Sequence, residues 1–206
     1  MYDGFHFFCM GESGGSGPES ATELFGSQQD WGAEMPVTID VPPRRVRSSD
    51  TIGTERNRSF EEMKGYDNYQ NTGGVDPEDR HQVGALGELA FSIHADLRIN
   101  AKQKQWSDGG VDFKAYIAGV EQTIDIKTRQ KDPDVFAVKE ESISADLYVL
   151  GHLVGDSSVE FLGMATRERV LNGNRKLSPK INKYNRILSL SSLDPIPDSE
   201  AIESSS

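Results

Sequence analysis

Residues 111–128, VDFKAYIAGVEQTIDIKT, alternate between apolar and polar side chains on either side of Ala118-Gly119. An alternation of period two, interrupted by two residues of which one is glycine, is typical of a β-hairpin. The pattern predicts strands over Val111–Ile117 and Val120–Thr128. With Ala118 and Gly119 as the turn, Ile117 pairs with Val120, and Asp112 lies directly across from Asp125.

Because side chains alternate between the faces of a strand, this register gives the hairpin one apolar and one polar face. The apolar face, which we expect to be buried, consists of Val111, Phe113, Ile117, Val120, Ile124 and Ile126. The polar face consists of Asp112, Lys114, Tyr116, Thr123, Asp125 and Lys127. A register error of two residues would leave both aspartates and Lys127 on that face.

Two aspartates side by side on neighbouring strands repel each other. Their Cβ atoms would lie ~5 Å apart, and two charges ~4 Å apart repel by about 4 kcal/mol at an effective dielectric constant near ~20. Lys127 relieves part of this repulsion, and a divalent cation between the carboxylates would turn it into ligation by hard oxygen donors, which suits Mg²⁺. The alternative is a solvent-facing strand on which Lys114 and Lys127 neutralise the acids.

A helix is predicted before the hairpin. Asp76-Pro77-Glu78-Asp79 offers an N-cap, a proline in the first turn and acids near the positive helix end, and the helix runs to about Asp96. Its expected core stripe consists of Leu86, Leu89, Ala90, Ile93 and Leu97. Glu88 lies off this stripe among small residues, and is either an ordinary exposed glutamate or a carboxylate close to a bound ion.

The remaining pattern predicts further strands and a short helix. Strands are expected over Arg98–Gln105, Val135–Val138, Leu147–Val154 and Val159–Ala165. Thr166 is expected to cap a short helix. One long helix, a hairpin-rich sheet and short helical pieces define an α/β domain with a mixed sheet.

Composition predicts one folded unit with polar flanks. Of 206 residues, 35% are hydrophobic and 27% charged. We expect a flexible or irregular segment over 1–55, the domain over 56–194 and a disordered acidic tail over 195–206. Cys9 is the only cysteine, which excludes an intramolecular disulfide and a cysteine-built zinc site. No apolar run approaches the ~20 residues of a membrane span and no secretory signal opens the chain, so we expect a cytoplasmic protein.

The net charge of −11 is unevenly distributed. Residues 1–77 carry 13 acids and 6 bases, residues 78–194 carry 17 acids and 16 bases, and residues 195–206 carry 3 acids. The acidic flanks hint at a halophilic host. One stretch is locally basic, with Glu168 as its only acid before Leu193, and contains Arg167, Arg169, Arg175, Lys176, Lys180, Lys183 and Arg186. It is either a phosphate-contacting surface or a solvated face.

The order of these motifs resembles that of the PD-(D/E)xK nuclease superfamily, which has a restriction-endonuclease-like fold. Members have a helix with a glutamate, an aspartate early in one strand and an acid-x-lysine on the next. Here these are Gly87-Glu88, Gly110-Val111-Asp112 and Asp125-Ile126-Lys127. The resemblance covers about residues 80–172 and includes phage-type members, which implies a viral or mobile-element origin. Valine replaces the usual proline before Asp112, and the segment between Lys131 and Ala145 is too short for the long helix of some members.

The resemblance implies a Mg²⁺-dependent nuclease acting on DNA, with Mn²⁺ as a substitute. Asp112, Asp125 and the Ile126 carbonyl would bind the metal, Glu88 would bind it directly or through water, and Lys127 would orient the attacking water. Arg129 and Gln130 could touch the phosphate backbone, together with Arg167, Arg169, Lys176, Lys180 and Lys183. DNA or RNA, the strandedness of the substrate, and monomer or homodimer stay open.

Two other interpretations remain at this point. A catalytically silent domain of the same fold would bind nucleic acid or a partner protein. A salt-bridged structural hairpin in an unrelated α+β protein would need neither. No histidine set with metal-ligand spacing, phosphate-binding loop or nucleophile elbow competes with the nuclease interpretation.

Overall fold

The computed structural model describes residues 36–47, 77–99, 110–179 and 182–205. It is a mixed α/β structure built on a curled six-stranded sheet with the order β1-β6-β5-β3-β2-β9. These strands are β1 (Val37–Asp40), β2 (Phe113–Ile117), β3 (Val120–Arg129), β5 (Leu147–Val154), β6 (Ser158–Thr166) and β9 (Ile202–Ser204). Only β3 and β5 pair in parallel, and the other neighbours are antiparallel.

A second sheet has the order β4-β8-β7 and is antiparallel. Its strands are β4 (Val135–Lys139), β7 (Asn174–Ser178) and β8 (Lys183–Ser189). The helices are α1 (Pro77–His94), α2 (Arg167–Asn172), the 3₁₀ turns Glu140–Ser142, Leu190–Ser192 and Ser199–Ala201, and a helical turn over residues 43–47.

The main sheet has an apolar core on each face, because successive residues of β3 and β5 point in opposite directions. Helix α1 packs on one face, where Ile124, Ile126 and Val149 belong to a cluster with Phe91 and Phe161. The other face carries the smaller cluster in which β4, β5 and α2 meet: Phe136, Val138, Tyr148, Leu150 and Val170. The residues of β3 between its buried isoleucines therefore face the second sheet.

The predicted hairpin is confirmed in its register, with Phe113 opposite Ile124 and Ile117 opposite Val120. Ala118 and Gly119 have φ of 52° and 77°, as in the type I′ turn that suits the twist of a two-residue hairpin. One part of the prediction was wrong. Strand β2 begins at Phe113, and Val111 packs against the second cluster instead of the α1 face.

Most other predicted elements are confirmed. Strands β4, β5 and β6 lie where the pattern placed them, and Thr166 caps α2 by accepting a hydrogen bond from the Arg169 N–H at 3.2 Å. In α1, Leu86, Leu89 and Ala90 are buried as expected, although the helix ends at His94, two residues early. The proposed cap at Asp76 and the strand candidate after Ile99 lie outside the described residues.

Both predicted flanks contain ordered strands. Within 1–55, β1 pairs with β6 along four residues, and within the tail predicted to be disordered, β9 pairs with β2. Ile196 is fully buried and Ile202 is 6% exposed. These strands are three or four residues long and are stabilised by ladders to distant strands, so local sequence carries little signal for them. None of the helices in the described part of the chain has the length and apolar character that a membrane crossing requires.

Candidate functional site

Asp125 is the central residue of the predicted polar face. It lies in the middle of β3, faces the second sheet with Tyr148 as its register partner on β5, and is only 2% exposed. A carboxylate in this position loses most of its hydration, which is costly unless charges or donors replace the water. The alternative of a solvent-facing, screened strand therefore does not describe Asp125.

Asp112 lies just before β2. Its backbone N–H donates to the Ile124 carbonyl at 2.7 Å, although Ile124 pairs with Phe113 in the ladder, so Asp112 departs here from the predicted register. It still lies close enough to Asp125 for its charge to act on that carboxyl group. Its side-chain Oδ2 accepts from the Ile126 N–H, also at 2.7 Å. Since N–H and C=O of one residue point to the same side of a strand, the Ile126 carbonyl also faces the β2 side, beyond the last backbone pair.

Lys127 supplies the positive charge next to Asp125. Its Nζ lies 2.7 Å from Oδ1, where it donates a hydrogen bond, and 2.6 Å from Oδ2. The contact with Oδ2 is electrostatic, because no hydrogen bond with acceptable geometry reaches this buried atom from the described residues. Lys127 is 31% exposed, so one end of the pair is accessible to solvent while the other is buried.

The pKa of Asp125 is raised from 3.8 to about 7. Burial is the largest cause, and the charge of Lys127 opposes it. Asp112 raises the pKa further, both by its charge and by a hydrogen bond between the two carboxyl groups. The fold thus places a second carboxyl group beside a buried one whose pKa is raised, which is an arrangement expected at a functional site.

Gly110, Ser142 and Ser144 lie close together at one side of Asp125 and are called the wall of the site below. This glycine has a φ of 86°, and a Cβ on it would lie 3.4 Å from the Ser142 carbonyl oxygen, 3.5 Å from Asp125 Oδ2 and 3.6 Å from Ser144 Oγ. The sequence analysis placed Gly110 in the motif Gly110-Val111-Asp112 but assigned no role to Ser142 or Ser144. No signal of spacing could have found them, because their approach depends on how β4 folds over the sheet.

Tyr148 holds the segment that contains Ser144 in place, a role that the sequence analysis did not predict. Its hydroxyl oxygen accepts hydrogen bonds from the backbone N–H groups of Ser144 at 2.7 Å and Ala145 at 3.0 Å. Burial raises the pKa of the tyrosine, and the charge of Asp125 adds to this effect. An apolar strand that contains one tyrosine was the only available hint, since a buried hydroxyl usually finds partners.

Glu88 does not have the exposed position of an ordinary helix glutamate, because it is 7% exposed. Its neighbour Gly87 lies against β3, where a Cβ on Gly87 would come within 1.7 Å of Thr128 Oγ1. Among the described residues, no three aspartate, glutamate, histidine or cysteine side chains form a group that could hold a metal ion. Glu88 therefore does not complete such a group with Asp112 and Asp125, and its predicted role as a ligand stays a prediction.

Several of the predicted nucleic-acid-binding residues are engaged in ion pairs or hydrogen bonds. Arg129 donates to the Ala137 carbonyl at 3.1 Å. Arg169 pairs with Asp194 at 2.7 Å, and Lys183 pairs with Glu141. The basic stretch is therefore partly neutralised by acids that are distant in sequence.

The other predicted contacts are exposed. Gln130 and Lys176 are on the surface, and Lys180 lies outside the described residues. Arg167 is exposed, its N–H donates to the Asp146 carbonyl at 2.8 Å, and its charge lowers the pKa of Tyr148. Of this set, Arg167 is therefore the residue whose charge acts on Tyr148, the register partner of Asp125.

Comparisons with protein-family models, curated proteins and solved structures found no match to this chain. The case for a function consequently depends on the geometry and chemistry of the site.

Proposed function

We propose that this protein is a Mg²⁺-dependent nuclease with a restriction-endonuclease-like core, in which Asp112, Asp125 and Lys127 hydrolyse phosphodiester bonds, with DNA as the expected substrate. The observation that carries the proposal is the pairing of two carboxyl groups, one of them almost completely buried, beside a half-exposed lysine. A structural ion pair needs one acid, whereas the second aspartate raises the electrostatic cost of the first.

The donor set fits a small cation that prefers oxygen. Asp125 Oδ2 is buried and accepts no hydrogen bond from the described residues, and the Ile126 carbonyl faces the same side as Asp112. These hard oxygen ligands would hold the ion, and Gly110 leaves space next to Asp125. When bound, Mg²⁺ would polarise the scissile phosphate and lower the pKa of a water molecule.

The protein's own residues contribute positioning and charge. The Ile126 N–H holds the Asp112 carboxylate in a fixed orientation at 2.7 Å. Lys127 would leave Asp125 when a cation takes over its charge, and its ammonium group would then orient the attacking water and stabilise the charge of the phosphorane-like transition state. Arg167 is exposed, its charge acts on Tyr148, and its guanidinium group would hold a neighbouring phosphate.

Mg²⁺-dependent cleavage of labelled DNA that is lost in Lys127→Ala tests this activity. A thermal-shift titration separates the enzyme from a silent nuclease-fold domain. At a Mg²⁺ concentration near 100 times its Kd, binding stabilises the folded state by about 2.7 kcal/mol, which raises the Tm by about 5–10 °C in a chain of this size. Asp112→Asn and Asp125→Asn should abolish the rise, and Asp134→Asn on the exposed β3–β4 loop should keep it. A folded wild-type protein with no rise in Mg²⁺ or Mn²⁺ would favour the silent domain.

A further inference from the structure

The hairpin formed by β7 and β8 has one exposed strand, β7, whereas most residues of β8 are half-buried. In β7, residues 174–177 are all exposed, which is unusual for a strand that covers a core. Strand β4 pairs with β8 only as far as Lys139 opposite Asn185. The pairs Leu177–Tyr184 and Ser178–Lys183 lie beyond that point, so the end of the hairpin extends past β4 as two strands. The whole β7–β8 hairpin is called the ribbon below.

The ribbon carries an exposed apolar and aromatic pair. Leu177 and Tyr184, which face each other across the two strands, are 42% and 41% exposed. The guanidinium carbon of Arg175 lies 3.4 Å from the centre of the Tyr184 ring. Stacking on the arginine holds the ring in one orientation, which lowers the entropy that a flat ligand would otherwise lose on binding.

The charge of the ribbon is positive after its ion pairs are counted. Arg175 and Arg186 both bind Glu140, with distances of 2.8 Å to Oε2 and 2.6 Å to Oε1. Lys183 binds Glu141. The two strands hold four cations, including the exposed Lys176, against these two acids, so a net charge of two positive units remains.

One short turn links the ribbon to the aspartate site. In the 3₁₀ turn Glu140–Ser142, the two glutamates bind the ribbon, and the carbonyl oxygen of Ser142 lines the wall beside Gly110. The same wall lies against Asp125 Oδ2. A nucleic-acid strand whose phosphate reached Asp125 would therefore pass close to the turn Glu140–Ser142, to which the ribbon is bound.

We propose that the β7–β8 ribbon binds a single-stranded stretch of the nucleic-acid substrate, with an unpaired base stacked on Tyr184 and Leu177. This inference rests on the proposed nuclease function and deepens it by naming the substrate class. An exposed aromatic ring, a stacked arginine and a net positive strand pair are the elements with which proteins bind single strands without reading their sequence. Within the described residues β7 is an edge strand of the second sheet, and a protein partner that paired with this edge would require neither the charge nor the oriented ring.

The test measures binding separately from cleavage. The full-length protein is titrated in EDTA into a fluorescently labelled oligonucleotide, either single-stranded or annealed to its complement, and anisotropy gives the Kd at several salt concentrations. The variants are Tyr184→Ala, Tyr184→Phe and Lys176→Ala, and Tyr116→Ala is the matched control, since Tyr116 is 38% exposed on β2. The Tm of each variant and metal-dependent cleavage by the wild type are recorded in parallel.

Tyr184→Ala should weaken single-strand binding about tenfold, with a smaller effect on duplex. Tyr184→Phe keeps the ring and should bind like the wild type, and Tyr116→Ala should be unchanged. Lys176→Ala should reduce the salt slope by about 0.7. If Tyr184→Ala fails to fold, the salt slope of Lys176→Ala still tests the inference.

Wild-type affinity in both Tyr184→Ala and Lys176→Ala would overturn the inference, and if the wild type still cuts, the nuclease proposal survives. A change in self-association instead of DNA binding would also overturn it and identify the ribbon as a protein-pairing edge. If the folded wild type neither binds nor cleaves any of the oligonucleotides, the nuclease proposal itself is overturned.

Discussion

Lys127 and Asp125 form a two-point contact in which Nζ lies 2.7 Å from one carboxylate oxygen and 2.6 Å from the other. The two residues are separated by one residue on β3, so their side chains share a face by the alternation of the strand. The lysine serves as the counter-ion of a carboxylate that burial would otherwise protonate. A cation that binds Asp125 has to take over this charge, and this exchange links protonation, metal binding and the position of Lys127.

Proton binding at Asp125 should make stability depend on pH in a defined direction. Its pKa is about 7 when folded and 3.8 in the absence of burial, so the folded state binds the proton more tightly. The stability contributed by this group is fully present below about pH 4 and is lost as the pH rises to about 7. We expect the metal-free Tm of the wild type to fall between about pH 4 and 7, and the fall to be smaller in Asp125→Asn. Asp134→Asn is the surface control, and an equal fall in wild type and Asp125→Asn would contradict the shift.

Substitution of two glycines with positive φ distinguishes the effect of backbone strain from an effect on the metal site. Gly110 and Gly119 have φ of 86° and 77°, but only a Cβ on Gly110 would face Asp125, since nothing lies within 4 Å of one on Gly119. Alanine at either position should cost roughly 1–2 kcal/mol of unfolding free energy, measured in urea. Only Gly110→Ala should also weaken Mg²⁺ binding. Equal metal affinity in both variants would exclude Gly110 from the site wall.

The approach of α1 to β3 depends on Gly87. A Cβ there would lie 1.7 Å from Thr128 Oγ1 and 2.8 Å from its Cβ, whereas nothing lies within 4 Å of one on Gly84. Gly87→Ala should therefore destabilise the protein by about 1–3 kcal/mol through overpacking. Gly84→Ala should stabilise it by about 0.5–1 kcal/mol, because alanine restricts the unfolded chain. Chemical denaturation measures both, and stabilisation by Gly87→Ala would contradict the observed packing.

The C-terminal segment should contribute to stability in spite of its polar composition. Ile196 is fully buried in the α1 core, whereas Glu203 on β9 is exposed. Ile196→Ala should cost about 2–5 kcal/mol, and Glu203→Ala should change stability by no more than about 0.5 kcal/mol. If both variants unfold at the same urea concentration, the segment does not pack as described.

The hairpin and its polar face could be predicted from sequence because their determinants are local. Alternation and the Ala118-Gly119 turn predicted the register of the paired residues and an Asp112 near Asp125. The direct pairing of the two aspartates was wrong, because the Asp112 N–H bonds to Ile124. The prediction for Val111 was wrong because the positive φ of Gly110 bends the chain before the strand begins. Strand β9 and the wall at Ser142 depend on contacts between distant residues, which no local pattern encodes. The ion pairs of Glu140 with Arg175 and Arg186 are of the same kind, and they changed the interpretation of the basic stretch.

The most direct test of the central claim is the initial rate of cleavage of labelled single-stranded, duplex and branched DNA by wild type and Lys127→Ala, at low and at high KCl. The reactions contain Mg²⁺, Mn²⁺ or EDTA, with Asp134→Asn as the folded control. We expect metal-dependent cleavage of at least one substrate by wild type and Asp134→Asn, and a rate at least about a hundredfold lower in Lys127→Ala with its Tm retained. Equal cleavage by wild type and Lys127→Ala, or no cleavage of any substrate by a folded protein, would contradict the assignment of Asp112, Asp125 and Lys127 as a nuclease centre.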